Sequence, residues 1–354
     1  MKARKIEYII AAGLVAAATL SLTAASCTRI EKADGPQSRI CYDVVQLHGT
    51  KTAKAYPPDR PFISWAFILP NGNNWMNKND RENVSQVYIA GAKVQFDGTH
   101  WYDPTQSYYW PSAGSLTFFS YSPEAIKEST TVDSQSGISI KDWDVAANQS
   151  VDIMVADVQM EQTANSTVGT YTGVPTIFRH KLSQIVGFEF NTLKDYSAST
   201  KFYVTGISLK NIIQKGTYVS GAEVGTTATL MGKWTPDASV AASSYNYFSG
   251  DQEVVYSATG GTKVSSSAIM LLPQKFSNPG ETPDWSKTPH LVISYKAGSE
   301  PKTARVSLYD LFPSHEIGMN KKITIKVTFS NEGNLITWAP DQDDWTESEF
   351  TVIM

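Results

Sequence analysis

Cysteine is nearly missing from this chain: 354 residues contain only Cys27 and Cys41. A fold stapled by several disulfides is therefore excluded, and stability has to come from core burial. Charge is also sparse, at 18% Asp, Glu, Lys and Arg against 41% hydrophobic residues, which is too apolar for a disordered chain. The formal net charge of −4 and pI near 5.8 lack the basic excess of a nucleic-acid binder, so no nucleic-acid partner is expected. After the N-terminus no run approaches the ~20 apolar residues of a spanning helix. The motifs HExxH, GxSxG, GxxxxGK[ST] and paired CxxC are absent. The five histidines, His48, His100, His180, His290 and His315, each stand more than five residues from any other histidine or cysteine. No metal, cofactor or catalytic constellation is expected, and the chain reads as a non-enzyme.

What is present begins at the N-terminus. Lys2, Arg4 and Lys5 form a basic head, Ile9 to Leu22 is almost wholly apolar, and Ala24, Ala25 and Ser26 precede Cys27. Basic, apolar, small is the order of a secretory signal peptide. A cysteine directly after the small residues resembles a bacterial lipobox, with Ala24 where that pattern prefers Leu. Residues 1–26 are then a lipoprotein signal peptide and Cys27 the lipidated first residue of the mature chain, which leaves the cytoplasm and is tethered by lipid. The alternative is a plain secreted protein in which Cys27 is incidental. Residues 27–39, polar with Gly and Pro, read as a tether. Cys41, in the apolar run Ile40 to Leu47, reads as a small buried side chain.

From Ile40 the chain reads β. Residues 323–329 (ITIKVTF), 291–296 (LVISYK) and 92–97 (AKVQFD) alternate apolar and polar, as strands with one buried face do. Asn71-Gly72, Asp97-Gly98, Gly260-Gly261 and Glu332-Gly333 mark turns. One short helix is expected at Ser122-Pro123-Glu124, with Ser122 as its cap. The polar stretch 160–173 divides an N-terminal β-sandwich, 40–165, from a C-terminal one, 166–354, each of about seven strands.

Chemistry-bearing candidates are few. Asp341, Asp343 and Asp344 lack the glycine and the terminal glutamate of a calcium loop and read as a solvated acidic turn. Asp142 and Asp144 flank Trp143, and acid–base work by them would require a working separation set by the fold. His180 reads as a hydrogen-bonded structural histidine. The aromatic cluster Trp101-Tyr102 to Tyr108-Tyr109-Trp110 has two readings, packing at the ends of a sandwich core or a platform for a host glycan.

Several segments taken in order resemble the fimbrillin family of Bacteroidetes, the pilins of type V pili. Residues 108–111 (YYWP) followed by 116–123 (LTFFSYSP) are similar to that family's aromatic stretch. Asp152 to Ala156, Phe178 to Ile185, Gly206 to Asn211, Gly232 to Trp234 and Leu271 to Gln274 match further elements of it in order. The resemblance implies an all-β fold of two tandem transthyretin-like antiparallel β-sandwich domains. It implies a lipoprotein of the cell surface that assembles with other pilin subunits into fimbriae and serves adhesion to a host glycan or protein receptor. It also implies that a surface protease removes the first strand, here Ile40 to Leu47, and that a strand of the next subunit fills the opened groove. Lys54 stands where the cleavage arginine is usual. Arg60 precedes Pro61, and Arg39 precedes the strand, so cutting there frees the lipid without opening a groove. No cleavage at all would suit an anchor or accessory subunit. Phe350, Val352 and Met354 share one face of the last segment, which is either a donor strand or a final edge strand.

Overall fold

The computed structural model describes residues 38–48, 52–165, 173–196, 199–223, 232–264, 267–330 and 335–344. The expected signal peptide (1–26), Cys27, most of the expected tether, and Phe350, Val352 and Met354 lie outside them. Among the described residues the fold is all-β, with only three short helical segments: α1 (Lys78–Asn83), a 3-10 turn (Glu124–Ser129) and α2 (Leu308–Leu311).

Eleven strands precede residue 181: β1 (Tyr42–His48), β2 (Thr52–Ala55), β3 (Phe62–Leu69), β4 (Gln86–Phe96), β5 (Trp101–Tyr102), β6 (Ser115–Ser122), β7 (Thr130–Asp133), β8 (Gly137–Asp144), β9 (Met154–Ala156), β10 (Gln159–Gln162) and β11 (Val174–His180). Nine of them form one sheet in the order β10-β6-β3-β4-β5-β1-β11-β9, with β2 on β1. Pairing of β6 with β9 joins the two ends of this path, so the sheet closes on itself. Its interior is a first core holding Phe62, Val94, Phe118 and Phe178, each nearly fully buried. The β11 strand, on the C-terminal side of the expected division at 160–173, belongs to this closed sheet, because it pairs with both β1 and β9.

The remaining strands are β12 (Ser183–Thr192), β13 (Phe202–Ile212), β14 (Lys215–Val219), β15 (Lys233–Pro236), β16 (Ser243–Val254), β17 (Thr262–Val264), β18 (Ile269–Leu271), β19 (Gln274–Lys275), β20 (His290–Ala297), β21 (Glu300–Ser307), β22 (Glu316–Ile317), β23 (Lys321–Ser330) and β24 (Leu335–Asp344). The β17-β12-β23-β24 sheet, with β18 also on β12, and the β16-β13-β20-β21 sheet contribute alternate residues to one shared core, among them Phe188, Phe190, Ile207, Leu291, Ile293, Ile325 and Phe329. This is the two-sheet arrangement that period-two alternation specifies.

A third core lies between these bodies. The small sheet β15-β14-β8-β7 takes two strands from each side of the chain. Its Ile138, Ile140, Trp143, Tyr218 and Trp234 pack on Ile63, Phe67, Phe119 and Tyr121 of the closed sheet. The β6 strand therefore has a core on each side: Leu116 and Phe118 face inward, Phe119 and Tyr121 outward. Double burial accounts for its unbroken apolar run, where a one-sided strand would alternate.

Two local expectations change. Ser122 is the last residue of β6 and not a helix cap; its hydroxyl meets the Tyr56 hydroxyl at 2.6 Å, and Pro123 begins the 3-10 turn. The acidic segment 341–344 is strand and not turn, with β24 registered on β23 so that Lys321 and Lys322 oppose Asp344 and Asp343. Lys326 Nζ reaches Asp341 Oδ2 at 2.7 Å. Opposite charge across the ladder offsets the poor strand propensity of Asp.

Candidate functional site

The segment 38–48 is built into the closed sheet along its whole length. Ile40 N–H donates to the Tyr108 carbonyl at 2.8 Å, and Trp110 N–H donates to the Ser38 carbonyl at 3.0 Å. The YYWP motif is thus the backbone dock for the residues before β1. Next, Val174 N–H donates to the Cys41 carbonyl at 2.9 Å. Then β1 runs parallel to β11, with Tyr42 opposite Val174 and Gln46 opposite Phe178. On its other edge β1 meets β5 at one pair, Tyr42 with Trp101, and β2 from Val45 onward. Between those two contacts lies a 180 Å³ cavity lined by Asp43, Val44, Phe96, His100 and Trp101.

Ile40, Tyr42 and Val44 point inward and are 3%, 6% and 8% exposed. The Tyr42 ring meets Phe62 edge-on at 5.5 Å and Phe118 at 6.0 Å. Tyr56 stacks on Phe178 at 4.8 Å and meets Phe62 at 6.1 Å. Burying three such side chains contributes about 1.5–3 kcal/mol each, and burial holds the Tyr42 phenol protonated well above its ordinary range. Removal of β1 would leave an aromatic slot lined by Phe62, Trp101, Phe118 and Phe178 beside the unpaired edge of β11.

The three basic residues singled out from sequence sit at different points of this arrangement. Arg39 bridges to Tyr109, donates to the Asp103 carbonyl at 3.0 Å, and lays its guanidinium 3.9 Å over the Tyr102 ring. It clamps the entry to β1. Lys54 lies within β2, opposite Gln46. Arg60 follows the Pro57 turn and approaches Asp152 at 3.7 Å, while Asp152 also meets His180 Nδ1 at 2.9 Å. His180 is fully buried. Asp144 accepts from the Ala147 N–H at 3.2 Å in a turn. Trp101 and Trp110 are 7% and 4% exposed; their rings belong to the first core and offer no open stacking platform. Among the described residues no group of three His, Cys, Asp or Glu side chains converges as a metal site.

Sequence reading did not single out Tyr56, Phe62 or Gly173 as parts of this seat. They are far apart in sequence, and only the closing of the sheet brings them together.

The family model described as fimbrillin-like matches residues 73–345. The chain belongs to the fimbrillin-like family. Among curated proteins no sequence matches significantly. Among solved structures, this fimbrillin-like chain is similar to a fimbrial protein from Bacteroides vulgatus at 16% identity and a TM-score of 0.56, covering 87% of this chain and 99% of that one. It also matches the tip fimbrial protein Mfa3 from Porphyromonas gingivalis, solved with a C-terminal truncation, at 12% identity and a TM-score of 0.36, covering 81% and 95%. The likeness to the Bacteroides vulgatus protein speaks to fold alone.

Proposed function

We propose that this fimbrillin-like chain is a fimbrial subunit of the cell surface. In this reading it is delivered as an outer-membrane lipoprotein through Cys27, assembles with other pilin subunits by strand exchange, and serves adhesion and biofilm formation. The observation that carries the reading is the seat of β1. Three alternating side chains fill an aromatic slot, and the edge toward β5 is paired at a single residue. Cutting the chain after Lys54 separates β1 from β3 and leaves Tyr56 behind in the slot. An incoming strand with the same alternation would pair with β11 and refill the core. Phe350, Val352 and Met354 have the spacing of Ile40, Tyr42 and Val44, and we assign them as the donor residues.

The test is limited trypsin treatment of the mature protein, N-terminal sequencing of the product, and electrophoresis in SDS with electron microscopy. The expected result is a new N-terminus at Ala55 together with an SDS-resistant oligomer ladder and filaments. A chain cut at that bond that stays monomeric would overturn strand exchange as its mode of assembly.

A further inference from the structure

The outer face of the β16-β13-β20-β21 sheet, remote from β1, carries an open groove of 430 Å³ lined by Lys210, Asn211, Trp285, His290, Val292 and Arg305. Its size falls within the roughly 300–1,000 Å³ of ligand clefts. We propose that it binds an acidic pyranose, a sugar ring bearing a carboxylate, as the recognition unit of a glycan.

The groove is built in advance of any ligand. Asn211, in the left-handed region at φ 58°, donates Nδ2–H to the Trp285 carbonyl at 2.9 Å and to the Thr288 carbonyl at 3.1 Å. Within the same loop Asp284 caps the Ser286 N–H at 3.1 Å, and the backbone N–H groups of Lys287 and Thr288 close on the Asp284 carbonyl. This fixes the half-buried Trp285 ring beside buried His290, centroids 5.0 Å apart. The remaining indole surface faces the groove. A pyranose presents an apolar C–H face suited to such a ring.

Charge selects the sugar. Lys210 on β13 is registered opposite His290, and Arg305 on β21 opposite Val292, so cations stand on both flanks of β20. Among the described residues neither side chain makes a hydrogen bond or ion pair. Burial lowers the His290 pKa against the hydrogen bond to the Thr288 carbonyl, and the charges of Arg305 and Lys210 add to the lowering. The loop carboxylate Asp284 is 3.4 Å from Lys287. The groove therefore presents two uncompensated cations beside one aromatic face, a pairing suited to a carboxylate on a ring.

The experiment titrates the mature full-length chain with trigalacturonate, following tryptophan fluorescence and heat of binding. Galactotriose, a sulfated galactotriose and a hexaglutamate peptide are run in parallel. Saturable binding of trigalacturonate, weakened by salt, is expected. It should drop at least about tenfold in Trp285→Ala and in the Lys210→Gln/Arg305→Gln double variant. Arg305 is exposed and Lys210 and Trp285 are half-buried, and circular dichroism checks the fold of each variant. Galactotriose binding equally well removes the role of charge. Sulfated sugar or hexaglutamate binding as tightly as trigalacturonate overturns the carboxylated-sugar assignment. So does an absence of binding at millimolar trigalacturonate, or binding that survives in both variants.

Discussion

A Cβ on Gly173 would lie 2.8 Å from the carbonyl oxygen of Cys41. That carbonyl accepts the Val174 N–H, so the two backbones meet where the segment before β1 enters its seat beside β11. Backbone has no rotamer with which to yield. Gly173→Ala is expected to cost about 1–3 kcal/mol, the usual range for overpacking, and to speed trypsin cutting at Lys54 by loosening β1. Gly187→Ala is the control, because nothing lies within 4 Å of a Cβ there. Urea midpoints of the two variants and their digestion rates read the difference.

Lys181 is fully buried between the closed sheet and the β14-β8 sheet, with its Nζ 5.7 Å from the Tyr218 ring. Burial pushes its pKa down to about 7, with the Asp157 carboxylate opposing the shift and the Arg179 charge adding to it. The unfolded chain keeps this proton up to about pH 10.4. Between about pH 7 and that value the unfolded state binds more protons than the folded one, so stability rises with pH. The penalty is present in full below pH 7. Tyr218, held protonated well above its ordinary range by its own burial, opposes the trend once pH passes about 10. Urea midpoints measured from pH 6 to 9.5 should therefore climb, by a few kcal/mol in total. Lys181→Met should be more stable at pH 6 and lose most of the slope. An unchanged slope in that variant would refute the assignment.

The all-β class was legible because one-sided strands alternate, as β20 and β23 do. The closure of the first sheet was not. It depends on β6 pairing with β9 and on β1 lying parallel to β11 across more than 120 residues of chain, and neither leaves a local pattern. The segment Phe178 to Ile185 was legible as a family motif but not as a junction. In the structure Phe178 lies in the core of the closed sheet, Leu182 in the core between the two bodies and Ile185 in the core shared by the β12 and β13 sheets. The aromatic run 101–110 was read for its rings, yet part of its role is carried by backbone groups of Tyr108 and Trp110, which residue identity does not reveal. Trp285 was passed over because one tryptophan in a polar loop looks like any other until Asn211 and two distant strands surround it.

Tyr42 is the largest of the three side chains, Ile40, Tyr42 and Val44, that the segment 38–48 places in the slot. Tyr42→Ala is expected to cost about 3–5 kcal/mol, as large aromatic truncations in packed cores do, because Phe62 and Phe118 lose their common partner and cannot close the gap. The same change separates folding from exchange. After cleavage at Lys54 and removal of the first segment, a synthetic peptide of residues 38–48 should rebind, quench oligomer growth and restore thermal stability. The Tyr42→Ala peptide should do none of these at equal concentration.

Arg39 and Lys54 lie on opposite sides of β1, and the proposed assembly treats cuts at them differently. A cut after Arg39 releases whatever precedes it, but Tyr42 to Gln46 stays paired with β11 and the slot stays filled. A cut after Lys54 leaves β1 held by pairing and packing alone. The hairpin to β2 keeps the Lys54 bond in a strand, and a protease needs an extended, unpaired substrate, so local opening of β2 should limit the rate. Because Lys51 is a second trypsin site between β1 and β2, the Lys51→Gln/Lys54→Gln double variant is expected to abolish trypsin-induced oligomers while Arg39→Gln leaves the ladder intact, with at most about 1 kcal/mol lost from the cation–π contact to Tyr102. A ladder that persists in Lys51→Gln/Lys54→Gln and vanishes in Arg39→Gln would place the opening step before β1 and refute its role as the exchanged strand.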